Sequence, residues 1–476
     1  MADKKFYITT PIFYPNANLH LGHAYVTTLS DVLARYHRLM GDKTYFLTGS
    51  DENAQTVAQG AQKAGMDFKA FVDEKIEKNF KPLFEALTIS NDQFIRTSDK
   101  EIHWPGAQAL WQKLVDAGDI YKKEYEGLYC IGHEAFITEK ELVDGKCPDH
   151  GTVPEHTKEE NYFFSLSKYT DAIKQKIESN ELLILPASRR NEILSLLGQG
   201  LQDVSFSRPA SKVPVGIPVP GDDSQVMYVW CDALSNYVTA LGYGRQDDEL
   251  FKEFWPGVHV IGKDILRFHA AIWPGMLMSA GLPLPKTILV HGMIISGGKK
   301  MSKTRGNVID PFDLLKEYGS DAVRYFLSKH VSPLEDSDMT PELLKDAYNA
   351  DLANGIGNLA SRVMQLAVTH LEVGTRPDAA GFPKEYTEAM ENFEINKAAQ
   401  YVWERIAALD ARIALDAPFK IVKSDPEAGK KMIFEMTQEL YLIGRMLNPI
   451  MPATSEAIKK AVVENKKPEN LFPRKD

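Results

Sequence analysis

The fold class is predicted first from one stretch, KFYITTPIFYPNANLHLGHAYVTTLSDVLARYHRLMG, at Lys5–Gly41. Its first part, FYITTPIFY, is an apolar run that predicts a β-strand. Its second part predicts an amphipathic helix, because apolar residues recur at helical spacing. These residues are Tyr25, Leu29, Leu33, Tyr36 and Met40. Gly41 then stands where a helix C-terminus is expected.

The same alternation continues on both sides of a long polar segment. TYFLTGS predicts a second strand, and DENAQTVAQGAQKAG predicts a helix with Asp51 and Glu52 in its first turn and Gly65 at its end. VMYVWCDAL, VHVIGKDILRFHAAIW and KTILVHGMII restart the strand–helix alternation downstream. We therefore expect an α/β fold with one Rossmann-like, doubly wound parallel sheet, split by an insertion and followed from Asp351 by an α-helical bundle.

Composition narrows the class of protein. The 476 residues, 44% of them hydrophobic, are enough for a large core and for several domains. A net charge of -10 excludes a uniformly basic nucleic-acid binder but not a local basic groove. The chain has three cysteines, a small and odd number, which argues against a secreted protein held together by disulfides. The N-terminus lacks a signal-peptide pattern, and no apolar run approaches the roughly 20 residues that span a bilayer. We expect a cytoplasmic protein that does not enter membranes.

His20 and His23 fall at the predicted turn from the first strand into the first helix. Ligands of open α/β sheets bind at the carboxyl ends of strands, and a helix start offers N–H groups and partial positive charge to an anion. Gly22 lets a ligand approach the backbone. On the motif alone, a solvated turn with two incidental imidazoles is an open alternative.

A second segment, GGKKMSKTRGN (Gly297–Asn307), follows a late predicted strand. Its glycines and cations suit a loop that stabilises phosphate charge in a transition state, and the alternative is a solvated basic turn. Together, HLGH and KMSKT resemble the paired signatures of the class I aminoacyl-tRNA synthetases. Within that class the chain is most similar to the methionyl-tRNA synthetase family, through TTPIFYPNANLHLGHAY, FLTGSDEN, FIRTSDKE, YEGLYC, TKEENYFF, VPVGIPVP, YVWCDALSNY, IGKDILRFHAAIWP and KMSKTRGNVIDP.

This resemblance implies a ligase that activates L-methionine with ATP, accompanied by Mg²⁺, and transfers it to the 3′-terminal adenosine of tRNA(Met). The implied methionine-binding residues are Ile12, Tyr14, Asp51, Trp230, Ala233, Leu234, Tyr237, Ile265 and His269. The implied ATP-binding residues are His20, Gly22, His23, Gly262, Asp264, Lys300 and Lys303, of which the two histidines and two lysines are also the implied catalytic groups. Without the resemblance, Trp230 and Ile265 would be interpreted as ordinary residues of the hydrophobic core.

Two Cys-x-x-His pairs, Cys130 with His133 and Cys147 with His150, lie in the polar segment. Two thiolates and two imidazoles suit a structural, tetrahedral Zn²⁺, with one ion per chain. Unrelated thiols and loop histidines are the alternative. The resembled family often carries a zinc knuckle here that is richer in cysteine, so His133 is a departure from its pattern.

The resemblance also implies a domain order. The predicted segments are a Rossmann catalytic domain at 1–115 and 225–310, a connective insertion at 116–224, a stem-contact region at 311–350, and a helical anticodon-binding domain at 351–476. In that last domain, Asn358, Arg362 and Phe419 match the positions that contact the anticodon. Phe419 stands where the family usually has tryptophan, and Asn53-Ala54 stands where it commonly has His-Gly. The ending NLFPRKD lacks the extra domain of longer dimeric relatives, so a monomer is expected.

Other functions remain as alternatives. A cysteinyl-tRNA synthetase would carry a cysteine at the end of the first strand, and this sequence has none there. A simple nucleotidylyltransferase would not need the helical C-terminal part. A tRNA-binding relative without enzymatic activity would be expected to lack the two histidines or the loop lysines.

Overall fold

A computed structural model describes residues 4–130, 135–137, 139–148, 151–213, 215–300, 309–374 and 381–476. The strands are β1 Lys5–Phe13, β2 Lys43–Ser50, β3 Gln93–Arg96, β4 Ile120–Cys130, β5 Ala135–Ile137, β6 Glu155–Phe164, β7 Leu183–Leu185, β8 Val204–Ser205, β9 Ser207–Pro209, β10 Pro218–Val219, β11 Asp222–Met227, β12 Val258–Gly262, β13 Thr287–His291, β14 Ile294–Ser296, β15 Lys299–Lys300 and β16 Ser337–Asp338.

The helices are α1 Leu21–Leu39, α2 Gln55–Ala64, α3 Phe68–Lys75, α4 Lys81–Ala86, α5 Trp104–Asp116, α6 Thr170–Glu178, α7 Ala187–Gly198, α8 Val229–Thr239, α9 Glu249–Phe254, α10 Trp273–Ser279, α11 Pro311–Tyr318, α12 Ser320–Lys329, α13 Pro341–Ala347, α14 Asn358–His370, α15 Lys384–Glu391, α16 Ile395–Asp416, α17 Pro418–Ser424, α18 Pro426–Leu447 and α19 Pro452–Glu464. Among the described residues, none of these helices is both long enough and apolar enough to cross a membrane.

The central sheet has six strands in the order β3-β2-β1-β12-β13-β7. β1 pairs in parallel with β2 on one side and with β12 on the other, and β13 pairs in parallel with β7. Every residue of β13 is buried, as is typical of a parallel sheet whose faces are both covered. The predicted α/β fold with a parallel sheet is therefore confirmed.

Two strands differ from the sequence-based prediction. β7 joins the edge of the parallel sheet although it lies within the segment predicted as the insertion. β11, predicted to restart the parallel sheet, instead pairs antiparallel with β9 and β10 in a small separate sheet. Its burial pattern, with only its last three residues buried, suits a partly solvated antiparallel strand rather than a central parallel one.

The start of α2 also differs from the prediction. The helix begins at Gln55, so Asp51 and Glu52 precede it instead of forming its first turn. The reason is local: Ser50 donates to the Glu52 carboxylate at 2.5 Å, and Arg96 binds the same carboxylate through Nε at 2.7 Å and Nη2 at 3.1 Å. The predicted end is confirmed, because Gly65 caps the helix with a φ of 65°.

The chain divides into two compact units, each described here by itself. The first comprises Met1–Leu19, Lys43–Pro82 and Asn91–Val290, and holds the parallel sheet and the insertion. The second comprises His20–Asp42, Leu83–Ser90 and His291–Asp476, and holds α1 and the C-terminal helices. The predicted helical C-terminal part is confirmed, and α18 buries Met436, Leu440 and Ile443.

The second unit is built from three separate stretches of chain, and the Arg324 side chain joins them. This guanidinium, which is 0% exposed, binds the Asp31 carboxylate at 2.7 Å. It also donates to the carbonyl oxygens of Leu87 at 3.1 Å, Pro449 at 2.8 Å and Ile450 at 2.9 Å. One buried cation thus links α1, the stretch after α4 and the loop between α18 and α19.

Candidate active site

His20 and His23 form a reciprocal cap at the start of α1 in the second unit. Gly22 N–H donates to Nδ1 of His20 at 3.1 Å, and His20 N–H donates to Nδ1 of His23 at 3.0 Å. Their ring centres are 3.9 Å apart. Because both Nδ1 atoms accept, each neutral ring carries its proton on Nε2. The arrangement therefore gives two imidazole N–H donors at a helix N-terminus.

The surroundings of His23 favour its neutral form. Desolvation lowers the pKa of His23 well below its usual value, and the neighbouring His20 lowers it further. A neutral imidazole still donates one hydrogen bond, so the rings can contact an anion without carrying a fixed charge. Gly22 is required for this geometry, because a Cβ at that position would lie 2.9 Å from Cε1 and 3.1 Å from Nδ1 of His20.

In the first unit, Tyr237 and His269 form a buried hydrogen-bonded pair. The carbonyl of Ile265 can only accept, so Nδ1–H of His269 donates to it at 3.0 Å. Nε2 of His269 is then the acceptor of the Tyr237 hydroxyl proton at 2.7 Å. Burial lowers the pKa of His269 to about 4, which keeps this ring neutral near pH 7. Three of the residues implied for methionine binding are thus brought together.

Trp230 packs beside this pair. Its ring lies edge-on to His269, with centres 6.2 Å apart, and stacks on Phe268 at 3.8 Å with 6° between the planes. Tyr237 also stacks on His259, at 4.0 Å. His259 Nε2 accepts from the Trp273 indole at 3.3 Å, so its Nδ1–H points to the Thr9 hydroxyl at 2.9 Å. The sequence analysis did not single out Phe268 or His259. Nothing marks them except that they lie beside predicted site residues.

Asp51 follows β2, at the carboxyl edge of the parallel sheet. Its N–H donates to the Phe13 carbonyl at 2.9 Å, which fixes it beside the end of β1. The Thr97 hydroxyl lies 3.5 Å from its carboxylate. Burial raises the pKa of Tyr237, and the Asp51 carboxylate raises it further. Asp51 and the Tyr237–His269 pair both lie in the first unit.

A buried polar chain supports the Asp51 loop. The Asn53 amide donates to Oδ2 of Asp232 at 2.8 Å and to the Thr97 carbonyl at 2.9 Å. Oδ1 of Asp232 contacts Nε2 of His103 at 2.6 Å, and Nδ1 of His103 contacts the Thr239 hydroxyl at 2.7 Å. Asp232, His103 and Thr239 are fully buried. Sequence reasoning missed this chain, although a carboxylate inside the apolar run VWCDAL is a signal of a buried partner.

The other residues implied for binding methionine and the adenosine of ATP also lie in the first unit. Ile12 is on β1, Tyr14 follows it, and Ala233 and Leu234 are buried on α8. Gly262 ends β12, and Asp264 is an exposed residue of the 3₁₀ turn Lys263–Ile265 that follows. Lys300 ends β15 in the second unit, where its backbone pairs with Ile295. Lys303 lies outside the described residues.

The residues implied for anticodon contact lie on helices of the second unit. Asn358 begins α14 and is exposed, and Arg362 one turn later forms an ion pair with Asp410 of α16. Phe419 lies on α17 with 44% of its surface exposed, an unusual degree for an aromatic ring. The exposure leaves a ring face on which a base can stack.

Cys130 and Cys147 are both fully buried and belong to one small apolar cluster with Ile137. Cys147 sits in a tight turn, in which its N–H donates to the Thr152 carbonyl at 2.8 Å and its carbonyl accepts from Gly151 N–H at 2.8 Å. His133 and His150 lie outside the described residues. In the part of the chain that is described, no group of three or more His, Cys, Asp or Glu side chains is arranged to hold a metal ion.

Comparison with known proteins identifies relatives along the whole chain. The family model for tRNA synthetases class I (M) matches residues 6–152 and 139–364. A methionine–tRNA ligase of Clostridium acetobutylicum is 42% identical over 473 residues, which cover 96% of this chain and 73% of the relative. A methionine–tRNA ligase of Brucella suis is 41% identical over 477 residues, which cover 96% of this chain and 92% of the relative.

The three-dimensional comparison agrees with the sequence comparison. Mycobacterium tuberculosis methionyl-tRNA synthetase in complex with methionyl-adenylate matches with a TM-score of 0.90 and 35% identity, covering 99% of this chain and 100% of that chain. The free form of the same mycobacterial protein matches with a TM-score of 0.84 and 33% identity, covering 99% and 98%.

Proposed function

The chain belongs to the class I tRNA synthetase family, and we propose that it is a methionine–tRNA ligase. In the first step, a carboxylate oxygen of methionine attacks the α-phosphorus of ATP, and the bond to pyrophosphate breaks. In the second step, a ribose hydroxyl of the tRNA 3′-terminal adenosine attacks the carbonyl carbon of methionyl-adenylate, and AMP leaves. Neither step needs a protein nucleophile, so positioning and charge stabilisation supply the catalysis.

The observation that carries this proposal is the match over 99% of the chain to a structure that holds methionyl-adenylate. The local geometry of the first unit supports the same substrate. Trp230 and the Tyr237–His269 pair offer polarizable aromatic surface, which favours a thioether sulfur by about 0.3–1.5 kcal/mol. Because the Tyr237 hydroxyl donates to His269, its own orientation is fixed before substrate arrives.

The Asp51 carboxylate is proposed to bind the methionine ammonium as a charge-assisted pair. Ile12, Tyr14, Ala233, Leu234 and Ile265 would complete the pocket around the side chain. The Asn53 amide, which stands where the resembled family commonly has histidine, is engaged with Asp232 and Thr97. We infer that Asn53 acts by holding the Asp51 loop rather than by touching ATP.

ATP is proposed to contact His20, Gly22 and His23 through its phosphates and Gly262 with Asp264 through its adenosine. Two neutral Nε2–H donors at a helix N-terminus suit oxygens that gain charge in the transition state. Lys300 and Lys303 would add positive charge at the phosphates. Mg²⁺ would accompany ATP and neutralise part of its phosphate charge.

A structural Zn²⁺ is proposed for the insertion, with Cys130, His133, Cys147 and His150 as ligands. The fit is supported by two buried cysteines in one small cluster and by the tight turn at Cys147. The ion would supply folding free energy to a segment with few apolar residues.

Metal analysis of the purified protein tests the zinc proposal. We expect about one zinc per chain, and loss of that zinc in Cys147→Ser together with easier proteolysis of the insertion. Cys231→Ser is the matched control, because Cys231 is a buried cysteine outside the proposed ligand set. Full zinc content in Cys147→Ser, or none in the parent protein, would contradict the proposal.

tRNA recognition is proposed to use Asn358, Arg362 and Phe419 for the anticodon of tRNA(Met). An amide and a guanidinium suit the edges of splayed-out bases, and an exposed ring suits stacking. The predicted domain boundaries, a monomeric state and a cytoplasmic location stay predictions from the sequence.

Pyrophosphate exchange across a panel of amino acids tests the function. We expect methionine to support exchange and cysteine and leucine to support little, followed by charging of tRNA(Met) in a second assay. Exchange with cysteine in preference to methionine would contradict the proposed substrate. Exchange without any tRNA charging would indicate a nucleotidylyltransferase.

A further inference from the structure

A short π-helical segment between α3 and α4 of the first unit has no part in the proposed binding sites. Among the described residues, three segments have π-helical hydrogen bonds: Ile76–Phe80, Phe268–Ile272 and Tyr348–Gly357. The second contains His269 of the proposed methionine site, and the third ends directly before Asn358. Because π-helical turns are rare and are found frequently at functional sites, the first segment is a candidate for a functional role.

Asn79 is a buried polar residue within Ile76–Phe80. It is 6% exposed, whereas the neighbouring Lys78 leaves 74% of its side chain exposed. A buried amide is costly unless it is hydrogen-bonded, and Oδ1 of Asn79 accepts the N–H of Leu19 at 2.7 Å. The π-helical turn therefore places a polar acceptor inside the first unit, against the loop that follows β1.

The loop after β1 is held by two side chains from this one helix. Leu19 is buried and lies outside the helices and strands, so its N–H needs an acceptor from another part of the chain. One turn before Asn79, Lys75 donates to the side-chain oxygen of Asn18 at 3.1 Å. Residues at this spacing share one face of a helix, so the same face fixes two consecutive residues of the loop.

The residue that follows Leu19 is His20, the first member of the histidine pair. The N–H of His20 donates to Nδ1 of His23, and Nδ1 of His20 accepts from the N–H of Gly22. Both hydrogen bonds depend on the direction in which the backbone enters His20. The contact between Asn79 and Leu19 fixes the backbone one residue before that point.

We propose that Asn79 is a positioning residue for the activation of methionine with ATP, an inference that rests on the proposed function. By accepting the N–H of Leu19, its amide oxygen restricts the backbone that leads into His20, and so the direction of the imidazole donors. Asn79 itself touches neither methionine nor ATP and acts through Leu19. Small errors in the position of reacting groups can lower a rate by about 10²-fold, even when the altered residue is remote.

Three substitutions at Asn79 separate positioning from packing. Asn79→Leu and Asn79→Ala both remove the acceptor, the first with side-chain volume kept and the second with no added bulk. Asn79→Asp keeps an oxygen that can accept the N–H of Leu19. Lys78→Ala is the matched control, because Lys78 is an exposed residue of the same π-helical segment. We measure pyrophosphate exchange with ATP and methionine varied separately, methionine binding by calorimetry without ATP, and unfolding in urea.

We expect Asn79→Leu and Asn79→Ala to lower kcat for exchange about 10–100-fold, because the imidazole donors lose their alignment. Their Kd and KM for methionine should stay within about twofold of the parent values, since the lost alignment acts on the transition state at ATP. Asn79→Asp and Lys78→Ala should keep kcat within about threefold, because the acceptor remains in both.

A role in stability alone would lower the urea midpoints of Asn79→Leu and Asn79→Ala but leave kcat of the folded protein unchanged, and this result would overturn the proposal. Methionine binding that weakens in parallel with kcat would also overturn it, as would an equal loss of kcat in Asn79→Asp and Asn79→Leu. Failure of the proposed function is distinguishable, because the parent protein and Lys78→Ala would then show no exchange with methionine at all.

Discussion

In His20 and His23, the two ring nitrogens have different roles in the proposed site. Nδ1 accepts a backbone N–H and caps α1, while Nε2 carries the proton that suits a phosphate. The shared cap therefore fixes the direction in which both donors point. This explains physically why a His-x-Gly-His pattern, and not two histidines alone, suits an anion site.

The first prediction concerns Gly22→Ala. The new Cβ would lie 2.9 Å from the His20 ring and push it from its cap, so pyrophosphate exchange should fall about 10²–10³-fold, as when one transition-state donor is lost. Stability should change by less than about 1 kcal/mol, because alanine's higher helix propensity offsets the lost cap. Gly198→Ala is the control, since a Cβ there meets nothing within 4 Å. Similar exchange rates in the two variants would contradict the role of the cap.

The second prediction concerns the pH dependence of stability. The folded protein holds His269 neutral down to a pKa of about 4, whereas the unfolded chain protonates it near 6.5. The unfolded state therefore binds more protons between these values, and stability falls as the pH drops from 6.5 towards 4.

His269→Gln removes this titration and keeps an acceptor for the Tyr237 hydroxyl. Between pH 7 and pH 5, the parent protein should lose about 2 kcal/mol more free energy of unfolding than the variant. Urea titrations at both pH values measure this difference. Equal losses would show that His269 does not carry the effect.

At the scale of elements, three pieces of the first unit are joined by one buried polar chain. It links the loop after β2 with the start of α5 and with α8, through Asn53, His103, Asp232 and Thr239. Because these groups are buried, each depends on its partner for a hydrogen bond. The loop that carries Asp51 is thus held in place through α5 and α8.

The third prediction therefore concerns His103→Ala. Removal of the imidazole leaves a buried Asp232 oxygen without its partner, which should cost about 3–5 kcal/mol of stability. His103→Gln keeps a donor for Asp232 and should lose less. Because the Asp51 loop would loosen, the largest kinetic effect should be a rise in KM for methionine. The fall in kcat and the rise in KM for ATP should both be smaller. A KM for methionine that stays constant in both variants would limit His103 to a structural role.

Local patterns predicted some elements well and others not at all. β1, β2, β12, β13 and α1 follow from apolar runs, helical spacing and a glycine stop, which are properties of neighbouring residues. β7 has only three residues, Leu183–Leu185, and its strand character depends on pairing with distant β13. The start of α2 depends on Arg96 of β3, which binds Glu52 across the sheet edge. Such partners are fixed only by the tertiary fold.

At the scale of the whole molecule, each unit is assembled from stretches that are distant in sequence. The second unit relies on a cation, Arg324, whose three side-chain nitrogens contact one carboxylate and three carbonyl oxygens. Desolvation lowers the pKa of this guanidinium, and the Asp31 charge opposes that effect. The arrangement is satisfied only when all three stretches of the unit are in place.

The fourth prediction concerns Arg324→Met. Asp31 would lose a buried partner, and three carbonyl groups would lose a donor, so the second unit should be destabilised by about 3–5 kcal/mol. Arg412→Met is the control, because Arg412 forms a surface ion pair with Glu435 and is 40% exposed. The control should cost less than about 1 kcal/mol. Similar urea midpoints for both variants would contradict the structural role of Arg324.

At the candidate site, the family resemblance pointed to chemistry-bearing residues but not to the residues that pack around them. The resemblance implies roles for Asp51, Tyr237 and His269, and the structure brings Tyr237 and His269 into direct contact. His103, His259 and Phe268 carried no motif, since their roles come from what packs around them. A sequence pattern records neighbours along the chain, whereas these three act through neighbours in space.

The three-stretch construction of the second unit has a consequence for synthesis on the ribosome. The helix that begins beside His20 is made early, yet the carbonyl groups of Pro449 and Ile450, which share its Arg324 anchor, are translated more than 400 residues later. At about 5–20 residues per second, the nascent chain waits on the order of half a minute for them. The first unit, whose last residue is Val290, is completed within that interval, so a chaperone that shields the apolar residues of α1 would act on a partly folded chain.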